Sequence, residues 1–334
     1  MSRRIYLKMK SLEEAREIFL GYWNVDGMLS GETVPSVDSV GRVTAAPVFA
    51  RFSAPTFHSA AMDGISVQAE RTFGATQESP MQLELGADAN WINTGQPMPE
   101  EADAVIMVEN VHQIDEQKVE IQAAAYPWQH LRKVGEDIVA TELLLPQSHQ
   151  ITAYDLGALL TAGVLELKVK RQPKVLIIPT GNELVEAENL KQMEAVPSGE
   201  IVEFNSWVLV NLVRQWGGKC DRHPIIPDDP DQLRRVLLEA VAGKYDVVII
   251  NAGSSAGSED HTVNLIAELG KVLVHGVAIM PGKPTVLGEI QGKPVVGNPG
   301  YPVSAIISLE QFIRPLLHRM QGLVEPEPEQ VEAY

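Results

Sequence analysis

The sequence predicts a multidomain protein in which a doubly wound, mainly parallel α/β domain is joined to a β-rich insert domain and a small helical and β linker domain. From residue 174 onward, apolar runs such as KVLIIPT and YDVVII alternate with amphipathic helical segments. That alternation is typical of a parallel sheet with helices on both faces. From about residue 33 to 140 the chain shows short alternating runs separated by Pro, Gly and Asn, which indicates β-structure.

Composition limits the functions that the chain can have. It has 334 residues, 45% of them hydrophobic, which is enough for more than one core. The formal charge of −17 argues against a nucleic-acid surface, so any anion site must be local, built from backbone N–H groups, a few cations or a metal. A single cysteine, Cys220, excludes an internal disulfide. No secretory or membrane-spanning run is present, so we expect a cytoplasmic protein without a membrane partner.

Local signals suggest how the chain is divided. Ser11, with Glu14 three residues later, predicts a helix within residues 11–22, and Thr152 predicts another within 152–164. We assign residues 1–50 and 140–173 to the bipartite linker domain and 51–139 to the insert. Residues 174–321 form the α/β domain, and 322–334 form an acidic, Pro-containing tail that is extended or disordered.

Three loops follow predicted strands of the α/β domain: PTGNEL (179–184), NAGSSAGSEDHT (251–262) and NPGYPVSA (298–305). Ligands of open α/β sheets bind outside the carboxyl ends of the strands. Small residues let a ligand approach the backbone, and helix N-termini favour anions. Tight crossovers also use Gly, Ser and Asp as plain turn and cap residues. Three such loops together favour a ligand site.

Acidic side chains in the same part of the chain suggest a metal site. Glu183, Asp260 and one of the pair Asp228 and Asp229 follow strands, so their carboxylates can converge. Carboxylates around a phosphate require a divalent cation, and Mg²⁺ is the natural choice for such ligands. The alternatives are that Asp228 or Asp229 only starts a helix and that Glu183 only complements a helix dipole. Lys283 lies in a rigid Gly–Lys–Pro loop that fixes the direction of its ammonium group.

The insert contributes a second set of polar residues. Asp63 precedes a glycine in SAAMDG, Thr94 precedes a glycine in NTGQP, and Asp137 ends the motif GED. Each of these is by itself a turn signal. His58 is expected to be a packing or surface residue, because no partner stands at metal-ligand spacing.

The ordered motifs SAAMDG, NTGQPMPEEADAVIMVE, RKVGEDI, PTGNEL, NAGSSAGSEDHT, PGKP and PGYPVSA resemble the MoeA family of molybdopterin molybdenumtransferases, whose animal counterpart is the E domain of gephyrin. The resemblance runs from about residue 11 to 320. It implies a homodimer whose α/β domain is related to the MogA-type molybdopterin adenylyltransferases. It also implies insertion of molybdate into adenylylated molybdopterin with release of AMP, aided by Mg²⁺. MogA-type adenylyltransferases and molybdoenzyme apoproteins are the implied protein partners.

The resemblance also implies site residues, in a cleft between the α/β domain of one subunit and the insert of the other. The implied catalytic residues are Asp63, Thr94, Asp137, Glu183, Asp228, Asp260 and Lys283, with Glu183, Asp228 and Asp260 as metal ligands. The residues expected to bind the pterin substrate are Gly181, Gly253, Ser254, Ser255, Gly257, Pro299, Gly300 and Pro302.

The chain also departs from the pattern of this family. Met280 stands where the family usually has a lysine, Tyr301 replaces the asparagine of Pro-Gly-Asn-Pro, and residues 252–257 differ from the usual glycine-rich loop. We expect a nearby cation, Lys271 or Arg132, to compensate for Met280. Members of the family commonly carry a further small β domain after the α/β domain, so this chain is either shortened or a shorter natural form.

Two other functional classes remain open at the level of the sequence. A binding or sensing module of the same fold binds molybdopterin or an oxyanion without turnover, and a scaffolding dimer does neither. An adenylyltransferase is a weaker alternative, because it leaves the long insert without a role.

Overall fold

The computed structural model describes residues 9–193, 195–252 and 258–324. Residues 325–334 of the predicted acidic tail lie outside these ranges. Within the described ranges, every helix is too short or too polar to cross a lipid bilayer.

The first half of the described chain consists mainly of short strands. In chain order its elements are α1 (Leu12–Tyr22), β1 (Gly31–Pro35), β2 (Val48–Phe49), β3 (Ser59–Ala60), β4 (Gly64–Val67), β5 (Met81–Glu84), β6 (Ala89–Ile92), β7 (Ala104–Met107), β8 (Val111–Gln113), β9 (Lys118–Ile121), β10 (Leu131–Arg132), β11 (Leu143–Leu145), α2 (Ala153–Thr161) and β12 (Glu166–Lys170).

Reciprocal caps start the first two helices, as the sequence predicts. Ser11 Oγ accepts a hydrogen bond from the backbone N–H of Glu14 at 3.1 Å, and the Glu14 carboxylate accepts one from the N–H of Ser11 at 3.3 Å. Thr152 and Asp155 repeat this arrangement at the start of α2. Each cap satisfies N–H groups that the helix itself leaves without acceptors.

Strand pairing divides this half of the chain into small sheets. β1 pairs with β12 and β2 pairs with β11, so the chain leaves and returns through the same antiparallel contacts. Between them lie the sheets β6-β4-β7 and β5-β9-β8 and the pair β3-β10. The β-rich character predicted for residues 33–140 is thereby confirmed, whereas the domain limits stay predictions.

The second half alternates strands and helices. In chain order its elements are β13 (Lys174–Thr180), β14 (Leu184–Val185), β15 (Ile201–Val202), α3 (Asn205–Gln215), β16 (Lys219–Arg222), α4 (Pro230–Ala242), β17 (Val247–Ala252), α5 (Ser258–Leu269), β18 (Lys271–His275), β19 (Val286–Ile290), β20 (Lys293–Asn298), α6 (Pro302–Ser308), a π-helical stretch (Leu309–Ile313) and α7 (Arg314–Gln321).

Six of these strands form one sheet in the order β16-β13-β17-β20-β19-β18. β16, β13, β17 and β20 are parallel, and β19 is antiparallel to both of its neighbours. The prediction of a mainly parallel sheet is confirmed. The antiparallel strand was not predicted. It arises because Gln291 and Gly292, with φ of +52° and +76°, form a tight hairpin between β19 and β20.

Alternate residues of the strands face two different cores. Val175 and Ile177 pack with α1, α3 and the C-terminal helices, whereas Leu176 and Ile178 pack with α4 and α5. Because successive strand residues point to opposite faces, this separation shows helices on both sides of the sheet. Burial also raises the pKa of the Cys220 thiol to about 12, so this thiol stays protonated near neutral pH.

Helix α1 packs against the α/β core although it comes from the other end of the chain. The rings of Phe19 and Phe312 meet edge to face, with centroids 6.2 Å apart. Arg16 donates to the carbonyl oxygen of Gln311 at 3.0 Å. Residues 1–50 were assigned to the linker domain, and α1 within them contacts the α/β part.

Replacing either cap residue should destabilise the protein by a similar small amount. Ser11→Ala and Thr152→Ala each remove a hydroxyl that accepts a helix N–H group, so each should lower the free energy of unfolding by about 1 kcal/mol. Urea unfolding followed by circular dichroism measures this loss. Ser79→Ala, at an exposed loop serine, is the control. A loss for Ser79→Ala as large as that for Ser11→Ala would contradict the assignment of the effect to capping.

Candidate ligand-binding site

The parallel strands end side by side at one edge of the sheet. Thr180 of β13 is in register with Ala252 of β17, and Asn251 of β17 is in register with Asn298 of β20. Residues 181–183 and 299–302 therefore emerge at the same edge, from the two strands that flank β17. This is the edge at which the sequence predicts a ligand site.

A cavity of about 190 Å³ opens at this edge. Its wall combines acidic, amide and apolar side chains with the loop that follows β20. It is lined by, among others, Glu183, Glu203, Asn205, Asn251, Gly300 and Pro302. The Asn205 amide donates to the carbonyl oxygen of Gly300 at 2.7 Å and so ties the start of α3 to that loop.

Two smaller hollows of about 20 Å³ each continue the cavity along the edge. One is lined by Asn298, Pro299, Gly300 and Thr262, and the other by Asp228 and Thr262 with neighbouring residues. Gly300 is shared with the larger cavity, and Thr262 is shared between the two hollows. We call these three adjoining spaces the strand-end row.

The structure places the predicted α/β residues along this row. Glu183, Gly300 and Pro302 line the larger cavity, Pro299 and Gly300 line one hollow, and Asp228 lines the other. Gly181 is buried in the turn beneath Glu183 and has φ of +152°. A Cβ atom on Gly181 would lie 2.8 Å from the Glu183 carboxylate, so only glycine lets that carboxylate fold back over the turn.

Glu183 is held by the short strand pair that follows it. The carbonyl oxygen of Glu183 accepts a hydrogen bond from the N–H of Ile201 at 2.7 Å, and that of Val185 accepts one from the N–H of Glu203 at 2.9 Å. These hydrogen bonds pair β14 with β15 directly beside the cavity.

Arg222, at the end of β16, joins both of these strands. Its guanidinium donates to both carboxylate oxygens of Glu186 at 3.1 and 2.7 Å and to Glu203 at 3.0 Å. Glu203 is only 2% exposed. Burial opposes the charge on Arg222, but its hydrogen bonds to the carboxylates of Glu186 and Glu203 outweigh that effect and raise the pKa of Arg222. We call these three residues the Arg222 clamp. It holds together the strand pair that follows Glu183.

The structure distinguishes between the adjacent acids Asp228 and Asp229. The Asp229 carboxylate caps α4 by accepting hydrogen bonds from the N–H groups of Asp231 at 3.0 Å and Gln232 at 3.1 Å. Asp228 is exposed on the row, and its backbone N–H donates to the side-chain oxygen of Asn182 at 3.1 Å. Asp229 lines the same hollow, but its carboxylate is occupied as the cap of α4, so the Asp228 carboxylate is the one left for a ligand.

The loop between β18 and β19 borders the row. Pro284 of this loop lines the hollow with Asn298, and Lys283 beside it is exposed. Met280, in the same loop, is 85% exposed. Lys271 begins β18 at the opposite edge of the sheet, and its Nζ lies 5.2 Å from the Tyr22 ring centroid. The expectation that Lys271 compensates for Met280 is therefore wrong.

Several predicted residues belong to the loop after β17. Gly253, Ser254, Ser255 and Gly257 lie outside the described residues. Asp260 is in the first turn of α5, and its side chain is also outside the described part of the structure. Their roles stay predictions.

The insert brings its own predicted residues near β3 and β10. The Asp63 carboxylate accepts a hydrogen bond from the N–H of Thr94 at 2.7 Å. Gly64, with φ of +157°, lets β4 approach β7, because a Cβ atom there would lie 1.9 Å from the carbonyl oxygen of Ile106. Asp137 is exposed and lies 3.8 Å from Arg132. Arg132 also pairs with Glu136, so it interacts with two neighbouring acidic residues of the insert.

His58 packs in the insert as expected. Its Nδ1 atom accepts a hydrogen bond from the N–H of Val134 at 3.2 Å, and its ring meets that of Trp128 edge to face at 5.1 Å.

A preformed cluster of metal ligands is not seen in the described ranges, where no group of three or more His, Cys, Asp or Glu side chains could hold a metal ion. Glu183 and Asp228 lie on separate parts of the strand-end row. Magnesium is commonly held by one or two carboxylates together with water and substrate phosphates. Glu183 and Asp228 are carboxylates, the type of ligand that such a site uses.

Sequence reasoning missed four residues of the site: Glu203, Arg222, Asn251 and Asn298. The two asparagines had a usable signal, since each follows an apolar run and is the first residue of a predicted ligand loop. Arg222 and Glu203 had none, because their pairing depends on how β14 and β15 fold.

The fold is a doubly wound α/β domain with a cavity at its strand ends, joined to a β-rich part. Residues 176–319 match the family described as "Probable molybdopterin binding domain". Residues 10–163 match "MoeA N-terminal region (domain I and II)". The chain belongs to the MoeA family.

Individual relatives agree with this assignment. Molybdopterin molybdenumtransferase 2 of Mycobacterium tuberculosis is 34% identical over 88% of this chain and 76% of its own length. Molybdopterin molybdenumtransferase of Haemophilus influenzae is 31% identical over 85% of this chain and 72% of its own length. A crystal structure of the molybdopterin biosynthesis MoeA protein from Pyrococcus horikoshii superposes with a TM-score of 0.80, at 34% identity over 94% of this chain and 81% of that one.

Removing the cation of the Arg222 clamp should strongly destabilise the α/β domain. Arg222→Met leaves the buried Glu203 carboxylate without a counter-charge, which typically costs about 3–5 kcal/mol. The loss is measured by urea unfolding. Replacing the carboxylate as well, in Arg222→Met/Glu203→Leu, should restore part of the stability because no lone charge remains buried.

Arg234→Met is the matched control, since Arg234 pairs with Glu268 at the surface. It should cost much less, because solvent screens exposed ion pairs. Equal losses for Arg222→Met and Arg234→Met would contradict the clamp.

Proposed function

We propose that this chain is a molybdopterin molybdenumtransferase that inserts molybdate into adenylylated molybdopterin and releases AMP. The observation that carries the proposal is the strand-end row, in which Glu183, Asp228 and the Pro299–Pro302 loop line adjoining spaces. Membership of the MoeA family and the names of its curated relatives support the same activity.

Glu183 and Asp228 would hold Mg²⁺, with Asp260 as a third ligand in this proposal. The ion would neutralise phosphate and molybdate charge, which a chain of formal charge −17 otherwise repels. The Arg222 clamp anchors the strand pair that follows Glu183, and Asn182 accepts a hydrogen bond from the backbone of the loop that carries Asp228. The protein thus supplies carboxylates from two separately anchored loops.

Lys283 would contribute a charge-assisted hydrogen bond to the anionic substrate from the loop beside the row. Gly181, Gly300, Pro299 and Pro302 would let the substrate approach the backbone at the strand ends. Gly253, Ser254, Ser255 and Gly257 would do the same from the loop after β17. In this proposal the loops would bind the substrate, and the sheet below them would stabilise the domain.

Asp63, Thr94 and Asp137 would complete the cleft from the insert of a second subunit in a homodimer. The hydrogen bond between the Asp63 carboxylate and the N–H of Thr94 already orients two of them as a unit. MogA-type adenylyltransferases would supply the adenylylated substrate, and molybdoenzyme apoproteins would receive the product. We propose that the reaction takes place in the cytoplasm.

Neutralising Asp228 should reduce molybdate-dependent AMP release, whereas neutralising its neighbour should not. Asp228→Asn removes a proposed metal ligand and should lower the rate by about 10-fold to 100-fold. Asp229→Asn is the matched control, because asparagine caps a helix as well as aspartate does. Asp260→Asn should behave like Asp228→Asn. The measurement is AMP released from adenylylated molybdopterin with molybdate and Mg²⁺.

The competing function makes a different forecast for the same assay. A binding or sensing module would bind the substrate without releasing AMP in the wild-type protein. If Asp228→Asn released AMP at the wild-type rate, Asp228 would not belong to the site.

Restoring a cation at position 280 should strengthen the binding of anionic ligands. Met280 is 85% exposed, so Met280→Lys fits without a clash, and Lys271 is too far away to supply its charge. We expect AMP to bind about tenfold more tightly at low salt, a change of about 1.4 kcal/mol, with the gain shrinking at high salt. Titrations at two salt concentrations measure both effects.

Val324→Lys, which adds the same charge at a residue that is 92% exposed elsewhere, is the control. Unchanged binding in Met280→Lys would show that the site has another cation, with Arg132 the remaining choice.

A further inference from the structure

Two buried asparagines face each other across the strand ends. Asn251 and Asn298 are register partners on β17 and β20 and are 3% and 2% exposed. The amide nitrogen of Asn298 donates to the side-chain oxygen of Asn251 at 3.2 Å and approaches the carbonyl oxygen of Ala305 at 3.4 Å. The Ala305 carbonyl fixes the orientation of the Asn298 amide, because a flipped amide would turn its own oxygen towards another oxygen.

This orientation leaves one strong acceptor without a donor. The side-chain oxygen of Asn298 is fully buried and accepts no hydrogen bond from any residue in the described ranges. Buried polar atoms are nearly always paired, so an orphaned oxygen at a ligand-binding edge calls for an external donor.

Asn298 also lines one of the two small hollows, whose other lining residues are mostly apolar, with Thr262 as the polar exception. Asn298 lines the hollow of about 20 Å³ together with Pro284, Pro299 and Gly300. A space of that size holds about one water-sized group. Since Gly300 also borders the larger cavity, a molecule seated there can extend one small group into the hollow.

The chemistry of the acceptor selects the donor. Phosphate and molybdate oxygens are themselves acceptors at neutral pH and cannot satisfy the Asn298 oxygen. An amino group on a heteroaromatic ring can, and both rings of the proposed substrate, the pterin and the adenine, carry one.

We propose that the side-chain oxygen of Asn298 recognises the exocyclic amino group of a heteroaromatic ring bound across the strand-end row. Asn251 positions the Asn298 amide by accepting its N–H group. The inference rests on the proposed function for the identity of the ring. A ring that offers a carbonyl oxygen in place of the amino group would put two acceptors face to face and leave both unpaired.

Two pairs of probes differ only in this feature. Pterin and lumazine differ at position 2 of the pteridine ring, amino against carbonyl, and AMP and inosine monophosphate differ in the same way at position 6 of the purine. Direct binding to the wild-type protein is measured by pterin fluorescence and by calorimetry. We expect the amino-bearing member of one pair to bind at least tenfold more tightly, and the pair that shows the preference identifies the ring.

Substitutions then assign the preference to Asn298. Asn298→Leu should abolish it by weakening only the amino-bearing probe. Asn298→Asp keeps an acceptor oxygen and should retain the preference, whatever its effect on absolute affinity. Asn110→Leu, at an asparagine of the insert outside the row, should leave the ratio unchanged.

Equal affinity within both pairs, or no binding of any probe to the wild-type protein, overturns the inference even without a variant. A preference that survives in Asn298→Leu also overturns it and assigns the hollow to an ordered water. The assay does not depend on turnover. AMP release without an amino preference refutes this inference alone, whereas an amino preference without AMP release refutes the transferase function alone.

Discussion

The hydrogen-bonded register of β13, β17 and β20 is the constraint on which the rest of the site depends. It aligns Thr180 with Ala252 and Asn251 with Asn298, so that three loops leave the core at one level. A register slip of one residue would turn the side chains of a strand to the other face of the sheet. Residues that now pack in one core would then face the other core. Because both faces are covered by helices, such a slip is strongly opposed, and the loops above inherit a fixed spacing.

The charged residues inside the α/β part fix the positions of neighbouring strands as well as stabilising the fold. Arg222 reaches two carboxylates that are 36 and 19 residues earlier in the chain, and it lies within 5.2 Å of the Trp207 ring centroid. Its planar guanidinium can bind both carboxylates at once, whereas a lysine would offer a single ammonium group. A net-acidic chain thus uses one buried cation to organise acids that would otherwise repel one another beside an anion site.

The sequence allowed prediction of features that depend on local chemistry. The two helix caps, the alternating strands and the small residues after each strand all follow from neighbours within a few positions. The choice between Asp228 and Asp229 could not be made, because both precede Pro230 and either can cap α4. β19 was missed because the hairpin at Gln291 gives a weak turn signal without Asn or Asp before the glycine. The Arg222 clamp and the asparagine pair depend on contacts between distant strands, which periodicity does not reveal.

The packing of α1 against the last helices has a consequence for synthesis on the ribosome. Arg16 contacts Gln311 across 295 residues, so α1 leaves the ribosome long before this partner has been made. Until then the apolar face of α1, including Phe19, lacks the part of its native cover that Phe312 and the neighbouring helical residues supply. Contacts between such distant segments form slowly, because the intervening chain must be ordered first. Part of the apolar face of α1 is therefore left exposed in a nascent chain until the segment around Phe312 has been made.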